Sequence, residues 1–404
     1  MKKQKILVIG ITMNCGGSEK SFLSFVHCLD FERFDVTLLL AKKTGLFMQL
    51  LPPQIHVIEM QQYGEMFTLD GGSAMHVIWN EMVKKHPLYL FEILPYALKM
   101  KMHPEKHADL AMQLWCRLMQ HFPAVKDSYD IALAYWGDKT MFYMCDKVNA
   151  KKKIAWLHFD YNNPPREDAL YFPYFQKCDY VVTVSQPIHD SLCNRLPQVA
   201  DRIAMMENIN NAALIRDMAK TGETFTDNYS GKRILTVGRI SEEKGYDMAV
   251  DALGILRGLG YDVRWYIIGG GNEAGKDALI AQAKSQGCAD ALVFLGTTTN
   301  PYKYMADCDI YVQPSRFEGK SISVEEAKIL AKPMVITNCI SSNEQLQNGA
   351  WGIICEKTPQ DIAQGIRSLL DDENKCKAFT QALQKSCKGN EDEIQVFYRM
   401  IDHE

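Results

Sequence analysis

A pair of cations near the middle of the chain has residue types and a spacing that suit a diphosphate. Arg239 and Lys244 follow an apolar, strand-like run that ends at Val237. A guanidinium grips phosphate oxygens with two parallel hydrogen bonds, and a lysine adds a mobile point charge. Both would stabilise a diphosphate whose negative charge grows as a bond to it breaks. A solvated turn, in which Glu242 and Glu243 pair with the cations, accounts for the same pattern.

Two glutamates eight positions apart, Glu318 and Glu326, follow the strand-like run that ends at Val312. A helix is predicted over Ser323–Leu330, so the amides of residues 319–322 would face a ligand with the positive end of the helix dipole behind them. Glu326, inside this helix, could accept both hydroxyls of a ribose, and Glu318 would project toward the group that the phosphate carries. An acidic first helical turn explains the glutamates alone, but not the cations upstream.

Two glycine-rich turns also follow predicted strands. Gly16 and Gly17 permit a tight turn, and Ser18 can cap the next helix and leave its amides for an anion; a capped helix without a ligand is the alternative. Residues Gly269–Ala274 match the G-x-G-x-x-A pattern of dinucleotide sites, but they lie mid-chain, and Asp290 precedes the next strand instead of ending it. A glycine turn beside the same site explains this match better than a nicotinamide cofactor.

Apolar runs and helical patterns alternate along the chain, which predicts an α/β fold with parallel sheets. The predicted strands are Lys5–Ile9, Asp35–Leu40, His56–Met60, Ile131–Ala134, Lys153–Trp156, Tyr180–Val184, Arg233–Val237, Arg264–Ile268, Leu292–Leu295, Ile310–Val312, Met334–Ile336 and Gly352–Ile354. We expect two doubly wound, Rossmann-like domains, residues 1–210 and 230–387, that face each other across a deep cleft. A helix within residues 388–404 would pack back on the first domain. The polar segment Ala219–Gly231 is a linker or a surface loop.

The composition excludes several classes of protein. The net charge of −4 gives no basic surplus of the kind that nucleic-acid binders carry. The two closest of the 12 cysteines, Cys376 and Cys387, are eleven positions apart, so no zinc-ribbon spacing exists and the cysteines are expected to be small buried side chains. The apolar run after Lys5 is short and is expected to be a buried strand instead of a signal peptide.

At its charged motifs the chain resembles retaining glycosyltransferases of the GT-B fold, family 4, also called group 1, in their bacterial surface-polysaccharide branch. Residues 237–338 contain the G-R…K-G turn, the P-S…E-G loop and the E-x7-E spacing of that family. Weaker similarity covers nearly the whole chain: Gly16–Glu19 is similar to the N-terminal glycine loop, and Trp156–Asp160 to a segment that puts a histidine near the transferred sugar.

The resemblance implies a role for each matched residue. Arg239 and Lys244 would hold the diphosphate, Glu326 the ribose, and Glu318 would contact the sugar. Backbone groups of four consecutive residues would line the sugar and the phosphates: Gly319, Lys320, Ser321 and Ile322. His158 would approach a sugar hydroxyl from the opposite domain. Many family members have an aromatic residue and a glycine where this chain has Lys320 and Ser321, so donor preference is not carried over.

The implied reaction moves a sugar from a nucleotide-diphosphate sugar, with uridine favoured as the base, to a glycan or lipid-linked acceptor. Configuration would be retained, no metal is expected, and the setting would be surface polysaccharide biosynthesis. A sugar-nucleotide epimerase on a GT-B-like fold and a non-catalytic sugar-nucleotide-binding protein are the alternatives. Release of nucleoside diphosphate only with an acceptor present separates transfer from both.

Residues 84–126 have a separate character, because cations and histidines alternate there with large apolar side chains at partly helical spacing. Such a surface suits a peripheral membrane contact. Helices packed on the first domain, with their lysines in water, explain it as well. The expected location is the cytoplasm, at the inner face of the plasma membrane if the membrane contact forms; no apolar run approaches the roughly 18 residues that a membrane span needs.

Overall fold

The chain forms two compact units. The computed structural model describes residues 3–14, 16–68, 74–271 and 273–402. The first unit contains the chain through Asn14, then Phe25–Glu207, and the chain from Ile394 onward, while the second contains the residues between Asn14 and Phe25 and the segment Asn208–Glu393. Among the described helices, none combines the length and the apolar character that crossing a bilayer requires.

Strands and helices alternate through both units, as the apolar runs predict. The strands are β1 (Gln4–Gly10), β2 (Phe34–Leu40), β3 (His56–Glu59), β4 (Ser128–Ala134), β5 (Asn149–Leu157), β6 (Tyr180–Thr183), β7 (Ile203–Met205), β8 (Lys232–Val237), β9 (Val263–Ile268), β10 (Leu292–Gly296), β11 (Ile310–Gln313), β12 (Met334–Thr337) and β13 (Ile353–Cys355). The helices are α1 (Gly17–His27), α2 (Ala74–Ile78), α3 (Leu90–Met102), α4 (His107–Met119), α5 (Asp138–Lys147), α6 (Asp168–Lys177), α7 (Gln186–Arg195), α8 (Ala212–Lys220), α9 (Tyr246–Gly258), α10 (Glu273–Ser285), α11 (Tyr302–Asp307), α12 (Ile322–Ile329), α13 (Ser342–Gln345), α14 (Pro359–Leu370), α15 (Glu373–Ser386) and α16 (Ile394–Asp402).

Each unit is built on one parallel sheet. The first sheet has the order β3-β2-β1-β4-β5-β6-β7, and the second has the order β10-β9-β8-β11-β12-β13. Both orders are doubly wound, so the predicted α/β class with two Rossmann-like sheets is confirmed. The strands are continuous in apolar residues because helices cover both faces of such a sheet; β1, the expected buried first strand, has no exposed side chain from Ile6 to Ile9.

The order of the second sheet reverses between β8 and β11, which are adjacent and parallel. In a doubly wound sheet the loops after two such strands diverge to opposite faces and leave a crevice at their carboxyl ends. The loop with Arg239 and Lys244 follows β8, and the loop with Glu318 follows β11. Topology therefore brings together two motifs that are more than seventy positions apart in the sequence.

The polar segment 219–231 belongs to the second unit and is a surface loop of it. The ring of Phe225 packs 4.5 Å from that of Tyr266. Asp227 accepts hydrogen bonds from Tyr266, from Arg233 at 3.0 Å and from Arg264 at 2.9 Å. Partial burial opposes the charge of Asp227, but these donors outweigh it and hold the pKa of the carboxyl well below its usual range.

The final helix, α16, is part of the first unit. Phe397 is fully buried, and its ring lies 5.1 Å from that of Phe25 and 6.5 Å from that of Trp156. Lys152 on β5 also donates to the carbonyl of Ile401 at 3.0 Å. An aromatic cluster and a helix-end cation thus hold the last helix on the first sheet.

Candidate functional site

Backbone contacts join the loops after β8 and β11. Gly245 has φ 64°, a left-handed conformation that ends the short turn Glu242–Lys244, and a side chain there would collide with the carbonyl of Pro314. The amide of Arg316 donates to the carbonyl of Glu243 at 2.7 Å. Glycine is therefore needed where the cation-bearing turn approaches the neighbouring loop.

Lys244 and Glu318 form a close ion pair at the centre of these loops. The ammonium lies 2.6 Å from Glu318 Oε1, and the two side chains are only 18% and 15% exposed. Ser315 Oγ donates to the same oxygen at 2.8 Å, and Gln313 Nε2 does so at 3.2 Å. These three donors fix the carboxylate on one side and hold the lysine at the edge of the sheet where a diphosphate is expected.

Arg239 lies apart from this pair. Its side chain is 67% exposed and contacts Glu243 Oε1 at 3.1 Å, the solvated pairing that the sequence allowed as an alternative. An exposed i,i+4 pair of this kind is worth only a few tenths of a kcal/mol, about 0.3–0.5 kcal/mol. The arginine can therefore turn to an anion at little cost.

The start of α12 is held by α13, which sequence reasoning did not include. Lys320 Nζ lies 2.7 Å from Glu344 Oε1, and the lysine side chain is 7% exposed. Gln345 accepts from the amide of Ser321 at 3.3 Å and donates to its carbonyl at 2.9 Å. The unusual Lys320-Ser321 pair thus has its own partners, supplied by a short helix after β12.

Glu326 is almost completely buried, with 2% of its side chain exposed. Lys20 Nζ lies 2.7 Å from Oε1 and 2.8 Å from Oε2, and the hydroxyl of Tyr302 donates to Oε1 at 2.8 Å. Burial and, next, the adjacent carboxylate raise the pKa of Tyr302, so the phenol remains a donor. Lys20 and Tyr302 were not among the predicted site residues.

Gly16 and Gly17 begin α1, and Cys15 before them lies outside the described residues. A side chain at Gly16 would collide with the carboxylate of Glu19. A Cβ atom at Gly17 would lie 3.9 Å from Ile322 Cδ1, so the glycine loop adjoins the first residue of α12. Both glycines, with residues 15–24, are grouped with the second unit.

Residues 225–386 match the family model of glycosyl transferases group 1. This domain belongs to that family. A Campylobacter jejuni relative named N-acetylgalactosamine-N,N'-diacetylbacillosaminyl-diphospho-undecaprenol 4-alpha-N-acetylgalactosaminyltransferase is 29% identical over 46% of this chain and 47% of its own length. The chain thus spans just under half of that relative. A glycosyltransferase of Haemophilus influenzae is 24% identical over 83% of this chain and 89% of its own length.

Solved structures resemble the whole fold. The chain superimposes on Anabaena Alr3699/HepE, solved in complex with UDP and glucose, with a TM-score of 0.69 and 16% identity over 99% of this chain and 100% of that one. At this identity the likeness concerns the fold. The family resemblance of the charged motifs is confirmed, and Arg239, Lys244, Glu318 and Glu326 all lie within the group 1 glycosyltransferase domain.

His158 lies in the first unit, in the loop directly after β5. Its ring is 4.9 Å from that of Tyr135, which follows β4, so it lies at the carboxyl end of the first sheet. The histidine is thus at the ligand-binding edge of its own sheet, whereas the other predicted site residues belong to the unit with the transferase domain.

The glycines of residues 269–271 have a packing role within the transferase domain. A side chain at Gly269 would collide with the carbonyl of Gly238, and one at Gly271 would meet Ile240 Cβ. Ile240 and Gly271 also form an isolated parallel bridge. The glycines let the turn after β9 lie against the turn that carries Arg239, which accounts for the pattern without a nicotinamide; Asn272, the next residue of the match, lies outside the described residues.

Proposed function

We propose that this protein is a glycosyltransferase that moves a sugar from a nucleotide-diphosphate sugar to a glycan or lipid-linked acceptor in surface polysaccharide biosynthesis. The observation that carries the proposal is the Lys244–Glu318 pair, which lies at the switch point of a group 1 glycosyltransferase domain. The printed name of the Campylobacter jejuni relative describes transfer to a diphospho-undecaprenol acceptor. The Anabaena structure holds UDP and glucose, which favours a uridine donor.

In the proposed reaction, Lys244 and Arg239 bind the diphosphate together with the amides at the start of α12. These groups meet the negative charge that builds on the leaving diphosphate, which is the largest contribution that a fixed site makes to such a step. Glu318, held by Ser315 and Gln313, contacts the sugar, and Glu326 receives the ribose. We propose that the configuration of the sugar is retained, that no metal is required, and that His158 contacts a sugar hydroxyl.

Acceptor-dependent release of nucleoside diphosphate tests this proposal. The purified protein, given a panel of uridine, guanosine and adenosine diphosphate sugars, should release nucleoside diphosphate only when a lipid-linked diphosphate glycan is added. Nuclear magnetic resonance of the product should show the anomeric configuration of the donor. Conversion of the donor sugar without an acceptor would instead identify an epimerase. Binding of the donor without release under any condition would identify a non-catalytic binding protein.

We also propose that the enzyme contacts a membrane surface through α3. Five large apolar side chains there are between 58% and 76% exposed and recur every three or four residues: Leu88, Phe91, Leu94, Leu98 and Met102. This spacing puts them on one face of the helix, whereas Ile93 on the opposite face is buried against the first unit. At 3.6 residues per turn, Lys99 and Lys101 flank the stripe on its two sides.

The flanking charges favour an anionic bilayer over a second copy of the chain. Lys84, Lys85 and His86 are exposed just before the stripe and extend the basic surface. Two copies meeting through this stripe would bring like charges together, while Glu92, the acidic residue of α3, is already paired with Arg117 at 2.6 Å. An interfacial helix has this composition: apolar side chains reach the acyl boundary and lysines contact anionic headgroups.

Vesicle co-sedimentation tests this contact. The wild-type protein should sediment with phosphatidylglycerol vesicles and not with phosphatidylcholine vesicles. Since each lysine near such a surface contributes about 1 kcal/mol, the quadruple charge reversal K84E/K85E/K99E/K101E should weaken binding by about 100-fold or more. A matched control reverses four exposed lysines of the second unit, K284E/K377E/K385E/K388E. Equal binding by the two variants would contradict the contact, and a concentration-dependent dimer abolished by L98S would assign the stripe to self-association.

A further inference from the structure

The carboxylate assigned to the ribose is already occupied. Lys20 Nζ contacts both oxygens of Glu326, at 2.7 and 2.8 Å, and Tyr302 donates to one of them. A ribose diol needs both oxygens, and with 2% of the side chain exposed neither can be reached from solvent. Ribose binding at Glu326 therefore requires that Lys20 leave. Because residues 15–24 are grouped with the second unit, this ion pair lies within that unit.

Lys20 is placed to move to an anion without leaving the site. It lies in the first turn of α1, and the glycine loop that begins this helix adjoins Ile322, the first residue of α12. The start of α12 is where the diphosphate is expected. The ammonium is 18% exposed and sits 4.8 Å over the ring of Tyr302, so a rotation of its flexible stem suffices.

We propose that Lys20 is an exchangeable counter-ion that couples ribose binding to diphosphate binding. In the absence of ligand it pairs with Glu326. When a nucleoside diphosphate binds, the ribose hydroxyls replace the ammonium on Glu326, and the ammonium pairs with the diphosphate. This inference rests on the proposed function, because it assigns the counter-ion of the same donor site.

The exchange has a physical advantage for selectivity. A buried carboxylate without a counter-ion is costly, so Lys20 keeps Glu326 ionised and ordered in the unliganded protein. A nucleoside diphosphate returns a partner to the displaced ammonium, whereas a nucleoside without phosphates does not. The pair should therefore disfavour nucleosides, since only the fraction of molecules with Lys20 displaced can bind them.

Titration calorimetry with uridine and with UDP tests the exchange. In K20M the affinity for UDP should fall about 10- to 100-fold, because a charge-assisted contact to the diphosphate is lost. The affinity for uridine should rise several-fold, because Glu326 is no longer masked. Opposite changes for two ligands that share a ribose are not expected of a residue that only supports the fold. Changes in the same direction, or no change for either ligand, would overturn the proposal.

Two further variants serve as controls. Y302F removes one hydrogen bond to Glu326 but keeps the Lys20 pair, so it should shift both ligands in the same direction; an opposite shift would overturn the assignment to Lys20. Because K20M leaves a buried carboxylate unpaired, the double variant K20M/E326Q restores neutrality and should lose the gain for uridine. A gain for uridine that persists in the double variant would show that Glu326 was never the masked group. If the wild-type protein bound neither uridine, UDP nor any nucleotide sugar, the proposed function itself would be wrong.

Discussion

Replacement of Lys244 by methionine should lower kcat for sugar transfer by about 100- to 1000-fold, the usual loss when one fixed donor to a developing negative charge is removed. The ammonium is held 2.6 Å from Glu318 and largely shielded from water, so its field at the leaving diphosphate is stronger than that of an exposed lysine. Since the charge on the diphosphate grows during the reaction, kcat should fall more than KM rises. Initial rates of nucleoside diphosphate release measure both.

Lys232 provides a matched control for this variant. It is also a lysine in an ion pair, at 3.0 Å from Asp309, but it begins β8 at the opposite end from the site. K232M should leave kcat within about twofold, because exposed pairs contribute little. An equal loss in both variants would attribute the effect to the stability of the domain. Unchanged kcat in K244M would remove the lysine from the diphosphate site.

Replacement of Phe397 by alanine should lower the free energy of unfolding of the first unit by about 3–5 kcal/mol, the range for deleting a fully buried aromatic ring. The ring is completely buried between Phe25, Phe34 and Trp156, and these residues come from α1, β2 and β5. The variant leaves a cavity that rigid strands cannot fill. Urea unfolding, fitted to two transitions because the chain has two units, measures the change.

Phe91 is the matched control, since it is a phenylalanine of the same unit that is 76% exposed. F91A should change the free energy of unfolding by no more than about 0.5 kcal/mol, as is usual for surface positions. A loss in F397A as small as that in F91A would mean that α16 does not stabilise the first unit. The donor-binding residues of the second unit are expected to retain their affinity for UDP in both variants.

Local pattern accounts for the parts of the fold that were predicted correctly. Apolar runs marked twelve of the strands, because a parallel strand covered on both faces is continuously apolar. β7 and α8 were missed: the first is three residues long, and the second begins in a stretch whose asparagines resemble a loop. Such short elements are stabilised by neighbours in the fold and carry little signal of their own.

The charged motifs show the same division. Arg239, Lys244, Glu318 and Glu326 could be selected from the sequence because their spacing on strand-to-helix turns is a local property. Their partners could not be selected in this way. Lys20 is 306 positions from Glu326, and its contact depends on how the chain places α1 beside α12. Glu344 and Gln345 lie closer in sequence to their partners, but they reach Lys320 and Ser321 only because β12 is the neighbour of β11.

The sequence alone determined the α/β class, the group 1 glycosyltransferase motifs and the edge of the sheet at which they lie, since these follow from hydrophobic period and from turn residues. Only the tertiary structure decided which carboxylates are already occupied. It also decided that the apolar residues of α3 are exposed on one face, and that Arg239 lies in solvent while Lys244 is shielded. Those properties depend on strand order and on contacts between distant segments, and a local pattern contains neither.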